Sequence, residues 1–191
     1  LESLEQVVES VRAEGHGVLE IVNLNSPRQH VLSGEQAAVQ AAVALLEDEH
    51  YVVPTIIERQ VPMHSSLFAS VGEALRAHLR RARFRQARRP YLPNRLGAPV
   101  PAASHDEYVA LLADHVHTPV LWRRSIDHLI AAHPDAVLVE VGPRQVLFNL
   151  LDRKWVNNRP RFCTDSREDA AGHFGAVIES LRALRPAAAG T

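Results

Sequence analysis

The chain is poor in several residue types that mark specialised chemistry. Among 191 residues it has one cysteine, one methionine and 5% aromatics. A single thiol, Cys163, forms no internal disulfide, which fits a reducing cytoplasm. Its setting between Phe162 and Thr164 predicts a buried, inert side chain. No run of about 18 apolar residues occurs, so the sequence predicts no membrane span. The acidic, amphipathic first residues do not read as a signal peptide. Neither sign of charge dominates: 21 basic and 22 acidic residues leave a formal net charge of -1. No global field therefore recruits nucleic acid or an anionic membrane. An RNA-binding module of ferredoxin-like shape is excluded on the same ground, and because no strand carries stacking aromatics.

Motif absences narrow the chemistry further. Eleven histidines invite a metal site, but no HxxxH, HExxH or cysteine pair is present, and His115 and His117 face different ways on a helix. No metal is expected. There is no glycine-rich phosphate loop. There is also no GxSxG elbow, so a nucleophile, base and oxyanion hole cannot all be assembled from this sequence.

What is present is an ordinary globular composition, 46% hydrophobic and 23% charged, enough for one compact domain or two small ones. Leu1, Leu4, Val7, Val8 and Val11 predict an amphipathic helix ending near Gly15. Strands are expected over 18–23 and 29–33, joined by the turn Asn25-Ser26-Pro27, followed by a helix over 35–47 with Ser33 as its N-cap. A third strand is expected over 51–62, interrupted by Pro54. Helix, hairpin, helix and returning strand predict a ferredoxin-like layer of α+β type. Beyond it, a helix from Ser65 presents Leu67, Val71, Ala74, Leu75 and Leu79. Helices follow over 105–117 and 121–132, a buried strand over 136–140, and a turn at Gly142-Pro143 leading into a helix that runs to Trp155. A strand over 161–164 and a helix over 169–184 close the pattern. The run Arg76–Arg89 (RAHLRRARFRQARR) supports two readings: a solvated helix end complementing the helix dipole, or a surface for a phosphate-bearing ligand or acidic carrier.

Three stretches place polar chemistry at element ends: Asn25 after the first strand, His64 between an apolar run and a helix, and Val139–Pro143 at the end of a buried strand. Each alone has a plain structural reading as a turn former, a helix-start residue and a chain reversal. Taken in order, NLNSPRQHVLSG (23–34), VPMHSSLF (61–68), PYLPN (90–94), HTPVLWRRSIDHL (117–129) and VEVGPRQVLFNLL (139–151) resemble the C-terminal portion of malonyl-CoA:acyl-carrier-protein transacylases and polyketide synthase acyltransferase domains. The resemblance implies an α/β fold: a ferredoxin-like small subdomain (1–62) plus the C-terminal part of an α/β-hydrolase-like large subdomain (63–184), with a linker-like tail (185–191).

It also implies transfer of an acyl group, malonyl by preference, from coenzyme A to the phosphopantetheine of an acyl carrier protein through a serine ester. Coenzyme A thioester is then substrate, and no cofactor is bound permanently. His64 matches the family's general base. His115 stands where the family carries an amide residue that orients the base, a departure that a backbone carbonyl would tolerate. Asn25 matches the asparagine lining the cleft. The family's serine elbow, oxyanion amides and malonyl-binding arginine lie in an N-terminal half that this sequence lacks. A partner supplying that half is therefore expected, and the chain is expected to be a piece of something longer. The competing reading is a non-catalytic scaffold that binds carrier protein or a synthase partner.

Overall fold

A computed structural model describes residues 1–58, 60–100, 102–166 and 168–184; the tail expected over 185–191 lies outside them. The chain divides into two compact units, Leu1–His128 and Leu129–Thr191. The small subdomain expected over 1–62 falls within the first.

In the first unit, α1 (Glu2–Ala13) turns Val7, Val8 and Val11 inward, as the spacing predicts, with Glu2 and Glu5 at its positive end and Arg12 at its negative end. Gly15, at φ +78°, lets the chain leave the helix. Strands β1 (Leu19–Leu24) and β2 (His30–Gly34) pair antiparallel. A bulge between Ile21 and Asn23 shifts the register, so the buried positions are Leu19 and Val22 rather than a strict alternation. Helix α2 (Gln36–Asp48) packs against α1 and β2, and its Ala38, Ala42 and Leu46 join Val7, Val8, Val11 and Leu19 in one buried core. A fully buried valine or leucine in such a core contributes about 1.5–3 kcal/mol. Ser33 is not the cap of α2: it lies within β2, and Glu35 starts the helix with its N–H on Val18 O at 2.8 Å.

Among the described residues the expected third strand does not form. Residues 51–58 carry no regular structure, Pro54 cannot donate to a ladder, and the other edge of β1 is taken by Val120. Val120 N–H donates to Val22 O at 2.8 Å, and Leu24 N–H donates to Val120 O at 2.9 Å. After this segment a 3-10 turn (Ser66–Phe68) opens α3 (Ala69–Leu79), whose buried residue is Gly72 rather than the predicted apolar face. Helix α4 (His105–Asp114) begins in a reciprocal capping box between Ser104 and Glu107, a device worth about 0.5–2 kcal/mol. It ends three residues before the expected His117, in the turn 115–117. Helix α5 (Trp122–Ala132) follows.

In the second unit, β3 (Leu138–Glu140) pairs in parallel with β4 (Arg161–Cys163). Helix α6 (Val146–Leu150) is shorter than the helix predicted to Trp155 and gives way to turns. Arg161 satisfies its end, donating to Phe148 O and Leu151 O with the guanidinium 4.6 Å from the Phe148 ring centre. Helix α7 (Ala170–Ala183) is capped by Asp169 on Gly172 N–H at 2.9 Å. The fold is thus mixed α/β, with helices around two small sheets. No helix among the described residues is long and apolar enough to cross a membrane.

Candidate active site

His64 sits where an extended segment turns into α3. The turn is tight: Met63 N–H donates to Val61 O at 2.9 Å. His64 itself has φ +63°, a conformation that costs a side-chain-bearing residue of order 1–3 kcal/mol. Two bonds to the turn after α4 hold it there. Its N–H donates to Val116 O at 2.9 Å, and Nδ1 lies 2.8 Å from His115 O. A carbonyl oxygen only accepts, so Nδ1 carries the proton and Nε2 is left with a free lone pair. The ring also meets the His115 imidazole edge to face, with centres 5.2 Å apart at 82°. Burial, and then the neighbouring His64, push the His115 pKa below its ordinary value of 6.5.

Of the two serines after His64, the first is committed elsewhere through its hydroxyl and the second is held by its main chain. Ser65 is fully buried and its hydroxyl donates to Pro62 O at 2.6 Å. Ser66 N–H donates to the Glu20 carboxylate at 2.8 Å, tying the start of the 3-10 turn to β1.

The turn holding His64 is itself braced. Asp114, the last residue of α4, takes Arg76 of α3 at 2.6 Å and Arg95 at 3.2 Å. Burial would lower the Arg76 pKa, but hydrogen bonding and charge from Asp114, then Glu73, outweigh it and leave it raised. Gly72 lies so close to His117 that a Cβ there would stand 2.4 Å from its Nδ1. A few residues on, Val120 receives the end of β1. One short segment, 116–120, therefore grips His64 at one end and, at the other, the strand that leads into Asn25. Four residues reach at most about 14 Å. Asn25 closes the β1–β2 turn, its N–H on Gln29 O at 3.1 Å and its Nδ2 on Gln29 Oε1 at 3.3 Å.

The stretch 139–143 belongs to the second unit, and there the hydrogen bonds of its turn are internal. Gly142 N–H donates to Thr164 Oγ1 at 3.2 Å and Arg144 N–H to Asp165 at 2.5 Å. Glu140 accepts the N–H groups of Leu147 and Phe148 at the start of α6. This supports the plain reading of the stretch as a chain reversal. Among the described residues, no group of three His, Cys, Asp or Glu could hold a metal ion. A cleft of about 250 Å³ between α1 and α2, lined by Gln6, Val7, Ser10, Leu45, Glu49 and His50, includes none of the three candidate residues.

No family model matches the chain. Curated sequences do. The chain is 32% identical over 158 residues to the malonyl CoA-acyl carrier protein transacylase of Bacillus subtilis strain 168, covering 83% of this chain and 48% of that protein. This chain is a relative of the malonyl CoA-acyl carrier protein transacylases. It spans about half the length of this curated transacylase relative. Among solved transacylase structures, that of Clostridium perfringens superposes with a TM-score of 0.83 at 23% identity, covering 96% of this chain and 54% of that one. A malonyl-transacylase in complex with its type II polyketide synthase acyl-carrier protein gives 0.80 at 22% identity, over 94% and 55%. At those identities the structural match shows the transacylase fold.

Of the expected site residues of this transacylase relative, the structure brings His64 and His115 into contact and ties the strand that leads into Asn25 to the same segment. Nothing in the sequence marks Gly72, Arg76, Asp114 and Val120 as a brace for the turn that holds His64. Arg76 and Asp114 sit on different helices, 38 residues apart, and an arginine or aspartate near a helix end carries no signal of its partner.

Proposed function

We propose that the chain is the C-terminal part of an acyltransferase that moves an acyl group, malonyl by preference, from coenzyme A to an acyl carrier protein, with His64 as general base. The observation that carries the reading is the orientation of His64: Nδ1–H donates to His115 O, so the basic lone pair of Nε2 stays available. A hydroxyl becomes a competent nucleophile only when such a base is in hydrogen-bond reach.

The serine is assigned to an N-terminal part, since this sequence has no elbow and Ser65 is turned away. Serine Oγ gives its proton to Nε2 as it bonds to the thioester carbon. The C–S bond then breaks, and the coenzyme A thiolate takes that proton, leaving an acyl-serine. In the second half, the thiol of the carrier's phosphopantetheine gives its proton to Nε2 and attacks the ester. The serine oxygen leaves and recovers the proton. His115 acts through its main-chain oxygen, fixing the tautomer and aim of His64. Asn25 lines the cleft. Association with an N-terminal part is supported by the half-length match to relatives and by the run of exposed apolar residues before His64.

The test is co-expression of the chain with an N-terminal transacylase segment carrying a GHSxGE serine. Malonyl transfer should appear, and His64→Ala should reduce it by a factor of about 10²–10⁴. Undiminished acyl-serine formation in the variant would remove the base assignment. No acylation in the wild-type pair would favour the scaffold reading.

A further inference from the structure

Asp114 collects more bonds than the end of a helix needs. Its carboxylate pairs with two cations from different parts of the first unit: Arg76 of α3, through Nη2 at 2.6 Å, and Arg95 of the loop before α4, through Nη1 at 3.2 Å. Arg76 is itself aligned by Glu73, 3.3 Å from its Nε. The side chains of Asp114 and Arg76 are only 15% and 19% exposed. The main-chain oxygen of Asp114 accepts two further bonds, from His117 N–H at 3.1 Å and from the Thr118 hydroxyl at 2.9 Å. One residue thus fixes the root of the turn 115–118 through both its side chain and its main chain.

That turn is what holds the candidate base. His64 reaches it twice, with N–H on Val116 O and Nδ1 on His115 O. Both acceptors are main-chain oxygens, so their direction follows the path of the turn. The left-handed φ of +63° at His64 persists only where the surroundings over-determine it. Helix ends fray, and the end of α4 would carry both oxygens with it. Fraying is opposed by the two ion pairs of Asp114, by Leu121 N–H on Asn94 O at 2.8 Å, and by Val120 on β1. For an ion pair this far from water, desolvation offsets much of the attraction, so it sets geometry more than net stability.

We propose that Asp114 is a positioning residue for the base, doing at one remove what the carboxylate of a triad does in direct contact: it fixes which imidazole nitrogen holds the proton. The path runs from the Asp114 carboxylate, locked between Arg76 and Arg95, through the root of the turn to His115 O and on to His64 Nδ1–H. Asp114 gives up no proton and touches no substrate. The effect on catalysis rests on the acyl-transfer reading; the orientation of His64 does not.

Two measurements test this. The first is the tautomer of His64, read from the imidazole nitrogen shifts at about pH 8.5, where the ring is neutral. It is recorded on the chain alone and on the chain co-expressed with the N-terminal transacylase segment, with H64Q assigning the signals. The second is kcat and KM for malonyl transfer by that co-expressed pair. The wild type should carry the proton on Nδ1. D114N should give a mixture of tautomers and lower kcat about 10–100-fold at a KM close to that of the wild type, the loss a displacement of about 1 Å brings. R95Q leaves the 2.6 Å bond to Arg76 in place, so it should move both readouts the same way by less, and it decides the matter if D114N does not fold. R76K, which keeps the charge, should lie between R76Q and the wild type. R182Q is the control: it breaks a pair of equal length on the surface of α7, where both side chains are mostly exposed and the pair contributes little. It should match the wild type. A wild-type tautomer in D114N, an unchanged kcat in D114N where the wild-type pair is active, or an equal loss in R182Q would each overturn the assignment. A tautomer shift in D114N with no transfer by any pair, the wild type included, counts against the acyl-transfer reading and leaves the orienting role of Asp114 in place.

Discussion

His64 and His115 form a pair in which one imidazole constrains the other. Burial and then His64 hold the His115 pKa below 6.5, so as the pH falls an unfolded chain takes that proton before the folded one does. Stability that depends on neutral His115 is therefore complete above 6.5 and is lost as the pH drops through the lowered folded value. His115→Gln removes this proton uptake while keeping the main-chain oxygen that His64 uses. The urea midpoint of the variant should fall less between about pH 7.5 and pH 5 than that of the wild type. Parallel profiles would mean that neither burial nor the neighbouring His64 lowers the proton affinity of His115. Sequence made His64 visible, because VPMHSSLF carries a family likeness. It did not show the contact between the two rings, since 51 residues separate them and only the fold closes that distance.

Among the elements, α3 shows how a local preference yields to packing. Its periodicity offers Leu67 and Val71 as a core face, yet both are exposed, and the helix is drawn in at Gly72 against His117. Gly72→Ala gains about 1 kcal/mol of helix propensity. It also places a Cβ 2.4 Å from His117 Nδ1 and 3.1 Å from Ala113 O, and overpacking of that kind costs about 1–3 kcal/mol. The clash wins because the obstructing atoms include backbone as well as a side chain. The variant should lose stability by up to about 2 kcal/mol in denaturant unfolding. Gly175→Ala in α7, where nothing lies within 4 Å of the added carbon, should gain up to about 1 kcal/mol. If the two changed stability alike, the close approach of α3 to the 115–117 turn would be wrong. The missing strand over 51–62 has a similar lesson. Its β-branched residues read as strand, but Pro54 lacks a donor and Val120 already occupies the second edge of β1.

At the scale of the whole molecule, many of the exposed apolar side chains lie on either side of the candidate base in sequence: Tyr51 at 89%, Val53 at 82% and Ile57 at 73%, with Val61 and Met63, before it, and Leu67 and Val71 after it. Exposed apolar side chains in such number mark a contact with another surface. The chain by itself should bind a hydrophobic dye and self-associate, and co-expression with the N-terminal transacylase segment should suppress both. A monodisperse monomer that binds no dye and unfolds in one sharp step would contradict that. The helix–hairpin–helix core is legible in the amino-acid order, because 3.6-residue and two-residue periodicities, glycine stops and turn residues are local signals. The family likeness is legible there too, with His64 at its centre. It takes the folded chain to show which nitrogen of His64 faces a carbonyl, that the Ser65 hydroxyl is turned to Pro62, and that Asp114, Arg76 and Gly72 brace the turn that holds His64. Those outcomes depend on contacts between residues distant in the chain, and such contacts leave no periodic trace in a single sequence.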